Sequence, residues 1–160
     1  MAENWFLKVD GIDGASTASG HKGEIDILSW SWGVARSGGG ASGTGAGTAK
    51  ARFEDFHFVA RIDKASPALF VACATGRHIR SAELQGTRVG KGKANTFLTY
   101  KLSDASVTEM EQGDADTGAP IAQFSLDYKK IEMTFTPQLS SGKLGTAVHA
   151  GFDVAAHTQL

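Results

Sequence analysis

Apolar residues recur at period two over most of the chain, the mark of half-buried strands. The strongest such stretch covers residues 24–33. Leu28, Trp30 and Trp32 fall on one face and Ile25 and Ile27 on the other, so a central strand is expected. Ser29 and Ser31 share the face opposite the tryptophans. A face that turns from isoleucine to serine suggests a strand that leaves the core part-way along. Before it, Trp5, Leu7 and Val9 mark a first strand, Asp10 to Gly14 supply turn chemistry, and residues 15–23 read as a polar loop. After it, Phe56, Phe58, Ala60 and Ile62 alternate with Asp55, His57, Val59 and Arg61.

One helix interrupts the alternation. Ser66 suits the N-cap, Pro67 the first helical position and Gly76 the left-handed position past the end. Leu69, Ala72 and Cys73 then face inward, with Cys73 as a small buried hydrophobe. Four strands follow. Ala82 and Leu84 give a short one; Leu98, Tyr100 and Leu102 give a clean one that can run on through Val107; residues 109–120 read as an acidic loop. From 121 to 137 the parity changes: Phe124, Leu126 and Tyr128 are even, whereas Ile131, Met133 and Phe135 are odd. A bulge near Lys129 and Lys130 would bend this strand around a barrel corner or let it serve two sheets. Val148, Ala150, Phe152 and Val154 form the last strand. The expected fold is mainly β: a two-sheet antiparallel β-barrel or sandwich with one short flanking α-helix.

Between strands lies a long glycine-rich loop. Six of the thirteen residues 37–49 are glycine, the rest are Ala, Ser and Thr, and none is charged. Gly38, Gly40 and Gly43 have the spacing of a dinucleotide fingerprint, but no helix follows, and Lys50 lacks the glycine a phosphate-binding loop requires before it. Two readings stay open: a disordered surface loop, or a segment that orders against a partner.

Composition narrows the class. A chain of 160 residues is expected to form one domain over 1–160. Its 16 basic and 17 acidic residues leave no electrostatic case for nucleic acid or an anionic membrane. Cys73 is the only cysteine, which suits cytosolic folding. No signal peptide and no bilayer-length apolar run is read. His21, His57, His78, His149 and His157 lack metal-site spacing, no nucleophile elbow occurs, and the acidic residues Glu109, Glu111, Asp114 and Asp116 do not match a calcium loop. The expectation is a protein with no enzymatic activity, no cofactor and no metal.

Trp30-Ser31-Trp32-Gly33 after an acidic-apolar strand, the glycine run, Ser66-Pro67-x-Leu69 through Gly76, and Phe135-x-Pro137-Gln138 occur in one order. Across the whole chain this set resembles the haemolysin-coregulated protein (Hcp) family of type VI secretion. The resemblance implies a two-sheet β-barrel with a flanking helix, homohexameric rings stacked into a tube, a spike protein at the tip, a contractile sheath outside and small effectors in the lumen. It implies a cytoplasmic protein that leaves through the apparatus without a signal peptide, and no C-terminal effector extension. Under it, Ser29 and Ser31 become candidates for the lumen wall, the alternative being that both pack under the helix. Ser37, Gly38, Gly39, Gly40, Gly43, Gly45, Gly47 and Lys50 become candidates for contacts between subunits or stacked rings. The competing expectation is a monomeric β-barrel module that binds a small ligand or a protein.

Overall fold

The computed structural model describes residues 3–37, 50–90, 92–114 and 118–160. Its strands are β1 (Glu3–Val9), β2 (Ile25–Ser31), β3 (Val34–Ala35), β4 (Arg52–Phe53), β5 (Phe56–Arg61), β6 (Ile79–Gly90), β7 (Lys93–Asp114), β8 (Pro120–Asp127), β9 (Lys130–Phe135), β10 (Val148–Asp153) and β11 (Thr158–Gln159). The helix is α1 (Ala65–Thr75). All pairings are antiparallel, in the order β11-β10-β9-β7-β6-β1-β2-β5-β8, and a further β7–β8 ladder closes six strands into a barrel. Strands β9, β10 and β11 continue beyond the barrel as a wing.

Two long elements make the closure possible. The first is β7. Its first part, up to Ala105, pairs with β6, and from Ser106 it pairs with β8. The bend sits at Asp104, one of the two non-glycine residues with positive φ (52°) among those described. The second is the segment 120–135, where the parity change falls as expected. Instead of a bulge within one strand, β8 ends at Asp127 and β9 begins at Lys130, and both run along the same side of β7. Lys129 N–H donates to Ser103 O at the corner, and Asp127 Oδ1 accepts from the Ser106 amide and hydroxyl.

The axis is filled. Phe56, Phe58, Phe124, Leu7, Ile25 and Leu126 are all less than 2 % exposed. Ring centroids lie 4.9 Å apart for Phe56 and Phe58 and 5.2 Å apart for Phe58 and Phe124. Each such side chain contributes roughly 1.5–3 kcal/mol on burial, so packing and not a bound ligand holds the barrel.

Several expectations are corrected. The β2 ladder with β5 shifts register between Ile27 and Ser29. This bulge turns the faces over, so Ile25, Ile27, Trp30 and Trp32 all join the core and Leu28 is left 45 % exposed. Ser29 and Ser31 point outward and are exposed, which removes the reading that both pack under the helix. The helix starts at Ala65, not after Ser66: Lys64 occupies the cap position without a side-chain bond, and the Asp63 carboxylate accepts from Ala65 N–H. Ser66 is buried and its Oγ accepts from Asp63 N–H. Gly76 ends the helix with φ 69°, as expected. Cys73 is half-buried against the core and Ile62 is 38 % exposed. The strand around Ala82 is long, because β6 runs twelve residues. Finally, residues 109–114 form strand, not loop: Glu109 pairs with Ser125, Glu111 with Gln123 and Asp114 with Pro120.

Candidate assembly surfaces

The barrel presents two different outer faces. On β2, β5, β8 and the second half of β7, ladder partners give the cross-strand rows Ser31–His57–Ser125–Glu109 and Ser29–Val59–Gln123–Glu111. Small and polar side chains dominate here. His57 Nδ1 lies 2.6 Å from Ser125 Oγ, and Thr108 Oγ donates to Asp55 Oδ2 at 2.7 Å. On the opposite sheet the corresponding row is Lys8–Glu83–Lys101–Glu132, an alternation of charge. At the margin, Asp26 is raised above the usual carboxylate range by desolvation and by Asp63, with Arg61 opposing.

The first face ends at two strands that each have one partner. Strand β2 leaves β1 after Ile27, and Ser29 to Ser31 pair with β5 alone among the described residues. From Ser106 onward β7 pairs with β8 alone among the described residues, and α1 packs against β7. Unpaired strand edges are templates for another strand.

The glycine-rich stretch lies in sequence between β3 and β4, just after the strand that carries the serines. Those two flanking strands form a two-stranded ladder, Val34↔Phe53 and Ala35↔Arg52. Below it the Trp32 indole N–H donates to Tyr128 OH, which donates to Glu54 O at 2.7 Å. Phe53 stacks on Phe152 at 5.1 Å. Burial, the largest cause, pushes the Tyr128 hydroxyl up to about 12; Asp55 and Glu54 add to the shift and the Trp32 bond opposes it. Ser37 and Lys50, at the two ends of the arm, are exposed. The candidates Gly38, Gly39, Gly40, Gly43, Gly45 and Gly47 lie outside the described residues.

The wing carries a surface that sequence reasoning missed. Met133, Phe135, Val148, His149 and Ala150 line an apolar recess of about 360 Å³, and Val148 is 65 % exposed. The same inner-face parity that buries Ile131 continues onto Met133, Phe135, Val148 and Ala150 beyond the end of the barrel. The parity was readable; that the core stops at Ile131 was not.

A filled barrel with open strand edges and an apolar wing defines a structural subunit rather than a ligand carrier. The comparisons agree. The family profile described as "Type VI secretion system effector, Hcp" matches residues 6–135. "Protein hcp1" of Pseudomonas aeruginosa is 30% identical over 161 residues, covering 99% of each chain. Hcp1 from Salmonella typhimurium superposes with a TM-score of 0.82 at 31% identity, covering 100% of both chains. A further structure, of "a type six secretion system protein", reaches a TM-score of 0.92 at 27% identity, covering 99% of this chain and 100% of that one. The chain belongs to the Hcp family, the secreted tube proteins of type VI secretion. No helix among the described residues is long and apolar enough to cross a membrane.

Proposed function

We propose that six copies of this chain close into a ring, with the face of Ser29 and Ser31 turned inward, and that rings stack to form the tube. One observation carries the reading: the four-strand face ends in two open edges, on β2 and on the second half of β7. Two different edges on one subunit make a head-to-tail contact, which gives a closed ring when the rotation between neighbours permits. Joining them extends the four-strand wall from subunit to subunit and covers edges that would otherwise invite aggregation. The charge-alternating sheet then faces outward toward a sheath, and the exposed serines form part of a smooth polar wall past which small effector proteins travel. The arm between β3 and β4, including Gly38 to Gly47, reaches the neighbouring subunit or the next ring, and a spike protein closes the tip. The subunit moves from the cytoplasm through the apparatus without a signal peptide. Its role is structural, without catalysis or cofactor. Sedimentation at micromolar concentration tests the ring: six protomer masses are expected, and a monomer alone would overturn it.

A further inference from the structure

We infer that α1 of one copy docks on the wing of the next, with Phe70 and Val71 entering the apolar recess walled by Met133, Phe135, Val148 and Ala150. The inference rests on the edge-joining proposed above for which copies meet, and it adds a side-chain contact to the joined strands. The helix supplies the first half of the case. No charged residue occurs from Ala65 to Thr75. Its inner side is buried in the core through Ala65, Leu69 and Ala72. Its outer side carries no charge in compensation. Pro67, Phe70, Val71 and Ala74 recur there at helical spacing and are exposed, Phe70 at 58 % and Val71 at 53 %. A surface helix ordinarily carries charged and polar residues on that side, whereas a helix apolar all round is one that is covered.

The wing supplies the second half. Its recess of about 360 Å³ is large enough to take an aromatic side chain. His149, at the rim, belongs to the other face of β10, where its Nδ1 lies 2.9 Å from Thr134 Oγ and its Nε2 3.6 Å from Glu132 Oε1. The remaining walls are apolar side chains, so the occupant is an uncharged apolar group. Position makes that occupant a second copy of this chain. Met133 is the ladder partner of Tyr100, whose ring lies 5.2 Å from Trp30 and 5.9 Å from Trp32, so the recess is on the flank of the open β2 edge. The helix packs against β7, and Gly76 at its end lines one hollow with Ala105 and Ser106, where the open β7 edge begins. Knob and hole thus flank the two different edges. A head-to-tail contact that joins β2 to β7 carries α1 toward the neighbour's recess, and the same pairing repeats around a closed ring.

The test uses the full chain, isotope-labelled at the methionine methyl groups and followed by sedimentation and NMR. In the wild type the Met133 methyl resonance is expected to move when the six-protomer species forms, because an aromatic ring arrives beside it, and Phe70→Leu should remove most of that movement. Phe70→Ala and Val148→Glu, on the two opposed surfaces, should each raise the protomer concentration needed for assembly by about tenfold or more. Protomer melting should be unchanged in both, since the positions are exposed; should one variant not fold, the other and the methyl resonance decide. Assembly of the folded variants at the wild-type concentration, or a Met133 methyl unmoved in rings, would overturn the docking and leave the ring standing. A Met133 movement that accompanies a smaller assembly, with no six-protomer species, upholds the docking and overturns the ring. A chain that stays monomeric overturns both.

Discussion

Tyr128 is the point where one atom holds three segments together, so Tyr128→Phe is an informative perturbation. Its hydroxyl accepts from Trp32 at the end of β2 and donates to Glu54 O before β5, while the residue itself sits at the β8–β9 corner. Tyr128 is 8 % exposed and packs in the core cluster, so the phenylalanine ring should occupy the same space. What is lost is two hydrogen bonds, each worth about 1 kcal/mol net. Trp32 is half-buried, so its indole N–H can recover part of its loss from water. A decrease of about 2 kcal/mol follows, which for a chain of this length is a fall of roughly 4–8 °C in Tm at a fixed protomer concentration. The pH dependence supplies a second readout. The folded-state value is about 12, against an unfolded value of about 10. A raised value means the unfolded chain ionises first, so the wild type loses stability as pH rises between these values. At pH 11 the loss from this group is about 1.4 kcal/mol, and the gap between wild type and variant should narrow by that amount. Circular dichroism melts at pH 7.5 and pH 11 measure both effects. An unchanged Tm at pH 7.5, or a constant gap across the range, would refute the reasoning.

Ser31→Arg should leave folding and ring formation intact, within about 0.5 kcal/mol because the position is exposed, while lowering cargo retention in a co-purification assay; loss of folded protein would contradict the placement. Replacing residues 37–49 by a short turn should preserve the melt and single rings but impair tube growth by electron microscopy, and normal tubes would reduce the arm to a linker. Gly86→Ala should lower Tm by roughly 3–10 °C, from about 1–3 kcal/mol of overpacking. A Cβ there would overlap the Trp5 indole, which Trp30 and Phe97 hold at 5.1 and 5.6 Å. Melting at the wild-type temperature would show that the indole yields.

Much of the barrel was legible because one face of most strands is buried, and burial writes a period-two pattern. Phe56, Phe58 and Ala60 are 0–2 % exposed, as their alternation implied. The failures occur where a local irregularity changes parity or composition hides it. The bulge at Leu28 put isoleucines and tryptophans on one face although they count as opposite. Gly86 interrupts the apolar pattern of β6 because Trp5 fills its space, so the strand looked short. Residues 109–114 looked like a loop because their outward side chains are acidic, yet the inward Met110 packs on the core. For the site, the outward exposure of Ser29 and Ser31 was inferred from size and face. His57 was assigned to the polar side of its strand, but its pairing with Ser31 and its bond to Ser125 depend on register between strands far apart in sequence, which no local pattern encodes.

The central claim is that rings form by joining the open edges of β2 and β7, and amide hydrogen exchange measures it directly. Backbone amides of residues 29–31 and 106–114 that do not bond to β5 or β8 should exchange quickly in dilute protomers and become protected when rings assemble. The outward amides of the charge-alternating sheet should show no such change. Protection of the two edges that appears together with the six-protomer species is the predicted result. Edge amides that exchange equally fast in rings and protomers would contradict the account and move the interface elsewhere on the subunit.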